Sequence, residues 1–452
     1  RRLPRPRRRP MSARRPRVLF ISPDAVGEHM RGMGIRYTEL ARALAPHADV
    51  SVATGDLRGG GAPPEGVRVT GYEPHAPGAL RAEIARADAI AAPPQWPVVT
   101  GWMRRSGARL VFDLYAPETL ETLELFSDRP AALRRLMVAL TVDRLEDALR
   151  SGHHFMCAGT AQRDLYVGAL LAARRLAPAV YDRDPSLRSL LDVVPFGVPS
   201  QPPAAGDAGA IRATLPQIGA GDEIVLWNGG LWNWFDAPTA IRAIDLLAAR
   251  RPGVRLVFMG TGDGPAGAAA AAEARALAAS LGLLGGAVQF NEHWVSYDRR
   301  GAWLLEADCA VAAARDHLET RFAFRTRVLD CFWAGLPVVC TRGDELASRV
   351  ARDGLGAVVD PADPAALAAA IETVLDRGRS SYAPRLAQAA ADHAWPVVAA
   401  PLRRWVTSSE PPPAAPRAGA IALRRPGHGL RRAAYRAARR TLQVARVEWP
   451  SL

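Results

Sequence analysis

The chain has 452 residues, 49% of them apolar and 23% charged, with 58 basic against 45 acidic side chains and a net charge of +13. That length predicts two domains, perhaps three, and the mixture is that of a water-soluble protein. No stretch of eighteen or more apolar residues occurs, so no transmembrane helix is expected. No apolar core of signal-peptide length precedes Val18, so the expected compartment is the cytoplasm; Met11, followed by Ser-Ala, is a candidate start.

The charge is uneven. Residues 1–17 hold nine Arg and no acid, and residues 417–452 hold nine Arg and one acid, Glu448; between them lie 40 basic and 44 acidic side chains. A nucleic-acid groove needs its positive charge on the folded body, so no specific nucleic-acid partner is expected. All the basic residues are Arg, so a phosphate must be met by Arg, His or backbone amides. The four cysteines have no metal-ligand spacing and read as small buried side chains.

From Arg17 the chain alternates short apolar runs with helical patterns. Strands are expected at 17–22, 50–54, 89–92, 109–115, 155–158 and 192–195, with a glycine-containing loop at Gly32 and Gly34 ahead of a helix from Tyr37 to Ala45. The alternation restarts at Glu223 after a Pro/Gly/Ala-rich connection, with strands at 223–228, 254–260, 287–290, 307–312, 336–340 and 356–360. An α/β fold of two tandem Rossmann-like, doubly wound domains is the inference, with ligands at the carboxyl ends of the strands. The expected division is a basic tail at 1–16, domains at 17–198 and 210–394, a crossover helix at 395–409, and a Pro-rich linker with a basic tail at 410–452. In that tail Leu430, Ala434, Ala438 and Leu442 share one helical face among arginines, a pattern that suits an anionic membrane surface or a solvated helix.

A helix predicted from Thr326 to Ala334 and stopped by Gly335 puts Arg325 and Arg327 at its N-terminus. Free backbone amides and two guanidinium groups there suit a diphosphate, and Asp330, one turn on, suits ribose hydroxyls. Gly260-Thr261-Gly-Asp-Gly264 is a further glycine-rich turn, which could also be a plain strand-to-helix connection. Glu118, Glu121 and Glu124 read as a solvated acidic face, and His153 and His154 as structural. Asp182-Arg-Asp184 lacks a preceding apolar run and is read as a loop; no metal is assigned.

Three stretches carry a resemblance: Gly32 to Leu44, Trp227-Asn-Gly-Gly-Leu-Trp-Asn-Trp-Phe-Asp236, and, most specifically, His317 to Pro337. They resemble glycosyltransferase family 4, in a bacterial polysaccharide-type branch, over about Arg17 to Trp405. The resemblance implies the GT-B architecture: a first domain for the acceptor, a second for a nucleotide-diphosphate sugar, and a helix crossing back. It implies a metal-independent, retaining hexosyl transfer to a carbohydrate or lipid-linked acceptor, with no cofactor beyond the donor substrate. It places the work in cell-surface polysaccharide synthesis, in the cytoplasm or at the inner face of the membrane.

Site residues follow from the same resemblance. The family's two Glu residues eight apart are represented by Asp330 and, eight before it, Phe322, so Glu319 is the nearest substitute beside the sugar. Gly229 and Gly230 stand where an Arg and a Lys usually hold the phosphates, leaving that charge to Arg325 and Arg327. Gly32 and Gly34 mark the inter-domain loop, with Arg36 facing the diphosphate. Asp113 stands close to the reacting sugar, or else caps the helix after Pro117. Trp232 and Trp234 either line the sugar site or pack between domains. The alternatives are a non-catalytic sugar-nucleotide-binding scaffold and a GT-B epimerase or phosphorylase.

Overall fold

The computed structural model describes residues 15–56, 63–74, 76–204, 209–260 and 265–408. The tail expectations at 1–14 and 409–452, and Thr261 with the rest of its turn to residue 264, lie outside the described residues.

Two wholly parallel sheets follow one another. The first holds β1 (Arg17–Ser22), β2 (Asp49–Thr54), β3 (Val67–Gly71), β4 (Ala89–Ala92), β5 (Arg109–Asp113), β6 (His154–Cys157) and β7 (Leu191–Val193) in the order 3-2-1-4-5-6-7. The second holds β8 (Glu223–Trp227), β9 (Val254–Phe258), β10 (Val288–Phe290), β11 (Cys309–Ala312), β12 (Val338–Thr341) and β13 (Gly356–Val359) in the order 10-9-8-11-12-13. Each reverses direction once, between β1 and β4 and between β8 and β11, which opens a crevice beyond the carboxyl ends of those strands.

The alternation of side chains builds both faces of the first sheet. Val18 and Phe20 of β1 enter one core while Leu19 and Ile21 enter the other, so the strand is buried on both sides, as helices covering a parallel sheet require. The first of these cores continues through Phe196, Val198, Trp395 and Val398 into the second sheet. All four cysteines are free and buried.

The chain crosses between the halves twice, side by side. Val198 N donates to His393 O at 2.9 Å and Trp395 N to Val198 O at 3.0 Å, and Phe196 packs on Trp395 with ring centroids 4.9 Å apart. A Cβ on Gly197 would lie 2.6 Å from the Trp395 ring, so the crossing tolerates no side chain there. The returning helices Trp395–Val398 and Ala400–Thr407 then reach the first sheet. Arg109 Nη1 donates to the carbonyls of Trp405 (3.1 Å) and Ser408 (3.2 Å) while its guanidinium lies 4.5 Å over the Trp405 ring, and His154 stacks on that ring.

Two local expectations change. Helix formation begins at Gly32, not Tyr37, so Gly32 and Gly34 form the first turn of the helix Gly32–Leu44. Asp182 lies in a short helix, Pro178–Arg183, and Asp184 just beyond it accepts hydrogen bonds from Ser186 and Ser189.

Candidate active site between the two sheets

At the switch point of the second sheet, β8 ends in Asn228-Gly229-Gly230. Gly229 has φ +118°, a conformation open to glycine but strained for other residues. Asn228 Nδ2 donates to the Arg327 carbonyl at 2.8 Å and so ties this turn to the start of the helix Thr326–Trp333. Gly260, beyond β9, brings its backbone against the turn: a Cβ there would lie 3.7 Å from the Gly229 carbonyl group.

Arg327 lies against the same turn. Its Nη2 donates to Gly230 O at 2.9 Å, its guanidinium stands 3.9 Å over the Phe235 ring, and a Cβ on Gly229 would come within 3.5 Å of it. Nη1 is buried with no hydrogen bond, and no carboxylate pairs with the group among the described residues. Burial, and secondarily the nearby Arg325 charge, drive its pKa down to about 9. A desolvated cation without a counter-charge favours an anion beside it. Gly229, Gly230, Gly260 and Arg327 thus lie together at one end of the second sheet.

Arg325 differs. Its Nε lies 2.7 Å from Asp344 Oδ2, and Nη1 is 3.3 Å from both the carbonyl and hydroxyl oxygens of Thr341. Asp344 in turn accepts from Leu346 N and Ala347 N and caps the helix Glu345–Asp353. The Arg325 charge is thus balanced by a carboxylate, although its Nη2, like Arg327 Nη1, is buried without a hydrogen bond. Asp330, expected on a ribose, pairs with Arg300 at 3.0 Å, and that guanidinium is held between the rings of Tyr297 and Trp333.

Arg36 and Asp113 also turn away from the expected roles. Arg36 Nε and Nη2 donate to the two Asp113 oxygens at 2.7 and 3.1 Å, and its remaining donors reach the carbonyls of Val194 and Pro195. Both side chains are fully buried and engaged with each other, and Arg36 also with two backbone carbonyls, rather than presenting a free group to the crevice. Nor does Asp113 cap the following helix: Pro117 occupies the cap position of Glu118–Leu125 with no side-chain hydrogen bond.

Glu319 sits in the helix Leu318–Phe322, whose first turn is capped by His317. Glu319 is 4% exposed, and its carboxylate has His317 Nδ1 at 3.7 Å, beyond hydrogen-bond reach. Burial pushes its pKa up to about 7; Arg325 opposes the shift, and Glu124 and Asp344 add to it. The Glu118–Leu125 helix of the first sheet packs on this helix, so the residues read as a solvated acidic face are partly buried between the halves. Glu118 pairs with Arg144 at 3.3 Å, and Glu121 is pushed up to about 8 by burial, then by Glu319 and Glu118. Glu121 was missed because helical spacing shows that three acids share a face, not what covers it.

Other cross-sheet contacts surround these groups. Asn233 Nδ2 donates to Glu124 O at 2.8 Å, Gln162 Nε2 to Phe322 O at 2.8 Å, and Tyr115 Oη to Phe324 O at 3.4 Å. Trp232 and Trp234 stack with centroids 5.2 Å apart, and Trp234 packs against Leu125, Phe126 and Met137, which is the packing role. A Cβ on Gly34 would lie 2.2 Å from Ala25 O, so its absence lets the loop before the helix lie close; Glu28 O in that loop accepts from Trp294 Nε1 of the second half.

Residues 222–377 match the family model described as Glycosyl transferases group 1. No curated protein sequence matches the chain. Among solved structures, Anabaena HepE in complex with UDP-glucose is similar with TM-score 0.59 and 15% identity, over 85% of this chain and 97% of that one. WaaG, a glycosyltransferase involved in lipopolysaccharide biosynthesis, gives TM-score 0.61 and 16% identity over 86% and 100%. Sucrose-phosphate synthase from Thermosynechococcus elongatus gives 0.58 and 18% over 86% and 97%. The two-sheet fold is the one these proteins share.

Proposed function

We propose, from the premise that residues 222–377 are a glycosyl transferases group 1 domain within a GT-B fold, that the protein transfers a sugar from a nucleotide-diphosphate donor to an acceptor hydroxyl. The observation that carries this is Arg327: a buried guanidinium with an unbonded Nη1, no counter-charge among the described residues, and a two-glycine turn against it. The diphosphate would lie there, beside Arg327 and the backbone of Gly229 and Gly230, with Asn228 fixing the turn.

The reaction we assign is metal-independent and retaining. The acceptor oxygen bonds to the anomeric carbon as the bond from that carbon to the diphosphate oxygen breaks, and the acceptor proton passes to the departing diphosphate. Arg327 stabilises the charge that grows on that oxygen, a role for which one well-placed donor is worth about 10²–10³ in rate. Glu319, largely desolvated and near neutrality in pKa, would hold a hydroxyl of the transferred sugar. A hexosyl donor, a carbohydrate or lipid-linked acceptor, and work on cell-surface polysaccharide at the cytoplasmic side complete the proposal. HepE in its UDP-glucose complex and WaaG in lipopolysaccharide biosynthesis are consistent with it.

Melting the protein with UDP, GDP, dTDP, CDP and ADP, with and without magnesium, tests the donor side. At about 100 times its dissociation constant the right diphosphate stabilises the fold by roughly 2.7 kcal/mol, without magnesium. Arg327→Ala should abolish that shift and Arg327→Lys restore only part of it, because a lysine lacks the planar fork. A full shift in Arg327→Ala, or none from any diphosphate in the native protein, would reject the assignment.

A further inference from the structure

The helix Ala131–Ser151 carries apolar side chains on more of its circumference than the core uses. Met137, Thr141, Arg144 and Ala148, at intervals of four and three, form its buried stripe. Beside that stripe Ala131, Val138, Ala139 and Val142 make a second one, which joins none of the hydrophobic core clusters. With Leu123 of the helix Glu118–Leu125 they line a groove of about 650 Å³ between the two helices. From Ala131 to Val142 the groove follows three turns, about 16 Å.

The two ends of the groove differ in charge. Arg134 and Arg135 stand at the amino-terminal end and Asp143 at the other. Arg134 Nη2 donates to Leu123 O at 3.0 Å, its Nε is buried without a hydrogen bond, and neither guanidinium pairs with a carboxylate among the described residues. A helix that connects two parallel strands runs against them, so this basic end lies toward the carboxyl ends of β5 and β6, the side of the crevice. The Glu118–Leu125 helix separates the two places: Leu123 lines the groove, while Glu124 O accepts from Asn233 of the second half.

An apolar groove with an unpaired basic end suits an amphiphile with an anionic head. An alkyl chain fits the space between two helices, and a phosphate at its end meets the two guanidinium groups. An acidic peptide helix, about 10 Å across and charged along its length, would bring acids against Asp143 as well. We propose that the groove holds the hydrocarbon chain of an acceptor carried on an alkyl or prenyl phosphate, with Arg134 and Arg135 on the phosphate and the reacting hydroxyl beyond it directed to the crevice. The inference rests on the transferase reading; it adds the chemical class of the acceptor's carrier and the place where its chain lies.

Isothermal titration of the whole protein with octyl and decyl phosphate, below their micelle concentrations, tests it. One molecule should bind per chain, and decyl phosphate should bind several-fold tighter than octyl phosphate, because each buried methylene contributes up to about fourfold. Inorganic phosphate and decyltrimethylammonium should bind more weakly than decyl phosphate by about tenfold or more. Ala139→Trp fills the groove from an exposed position and should weaken decyl phosphate by about tenfold. Arg135→Gln, also at an exposed position, should weaken it several-fold and erase its preference over decyl maltoside. Equal binding of the anionic and cationic amphiphiles, many molecules per chain, or indifference to Ala139→Trp would overturn the proposal. Self-association abolished by Ala139→Trp, with no decyl phosphate bound, gives the groove to a second copy of the chain instead. No decyl phosphate binding beside a normal diphosphate melting shift rejects the groove alone. Decyl phosphate binding with no diphosphate shift rejects the transferase reading and, with it, the acceptor role of the groove.

Discussion

Arg325 and Arg327 are two residues apart and look equivalent in sequence, yet the fold gives them different work. Arg325 meets Asp344 across β12 and becomes part of the frame, while Arg327 meets a glycine turn and keeps its charge open. Arg36 and Asp113 make the same point over 77 residues: each alone looks like a ligand-facing charge, and together they neutralise one another in the core. Sequence shows the type of a charge but not its partner, so the clustering of Arg325 and Arg327 with the glycine turn was legible and the partner each guanidinium takes was not. Removing one member of the Arg36 pair leaves a buried charge, which typically costs about 3–5 kcal/mol. Arg36→Met and Asp113→Asn should each lower the melting temperature sharply. The double variant should be less destabilised than the sum, as a thermodynamic cycle by chemical denaturation will show.

Most elements were readable because a parallel sheet with helices on both faces writes continuous apolar runs into its strands. The exception is β3, where Val67 is buried but the next four residues are only partly buried or exposed, so an edge strand leaves a weak pattern. The helix Thr326–Trp333 matched its expected span because its end is set locally, by Gly335 at φ +63°. The start of Gly32–Leu44 was misread because glycines look like loop when the reason for one of them is a contact: Gly34 makes room for Ala25 O. Gly34→Ala should therefore disturb the 23–31 loop against Trp294. The expected readings are a destabilisation of about 1–3 kcal/mol, of the size that overpacking brings, and faster amide exchange in that loop.

For the molecule as a whole, the contacts that join the halves set both pH response and shape. Glu319 and Glu121 titrate near 7 and 8 in the folded state against 4.5 for an ordinary glutamate, so between those limits the native state holds protons that the unfolded chain releases. Their contribution is complete below about pH 4.5 and is lost as pH rises through 7 to 8. Unfolding between pH 5 and pH 8.5 should show a smaller loss in Glu121→Gln than in the native protein. Glu345 bridges the halves more simply: its carboxylate accepts from Thr160 N at 2.7 Å, and a Cβ on Gly159 would collide with it. Glu345→Ala should shift the solution ensemble toward a larger radius of gyration by small-angle scattering, with a stability change under about 1 kcal/mol because the contact is exposed.

The return of the chain to its first sheet also sets an order of events at the ribosome. The last strand of that sheet ends at Val193, but Trp405, which covers Arg109 and His154, is made about 200 residues later. At 5–20 residues per second that is a wait of about 10–40 s, during which the amino-terminal half must persist with one flank unfinished. A nascent chain stalled before residue 395 should be cut by protease near that flank, and one released after residue 408 should resist.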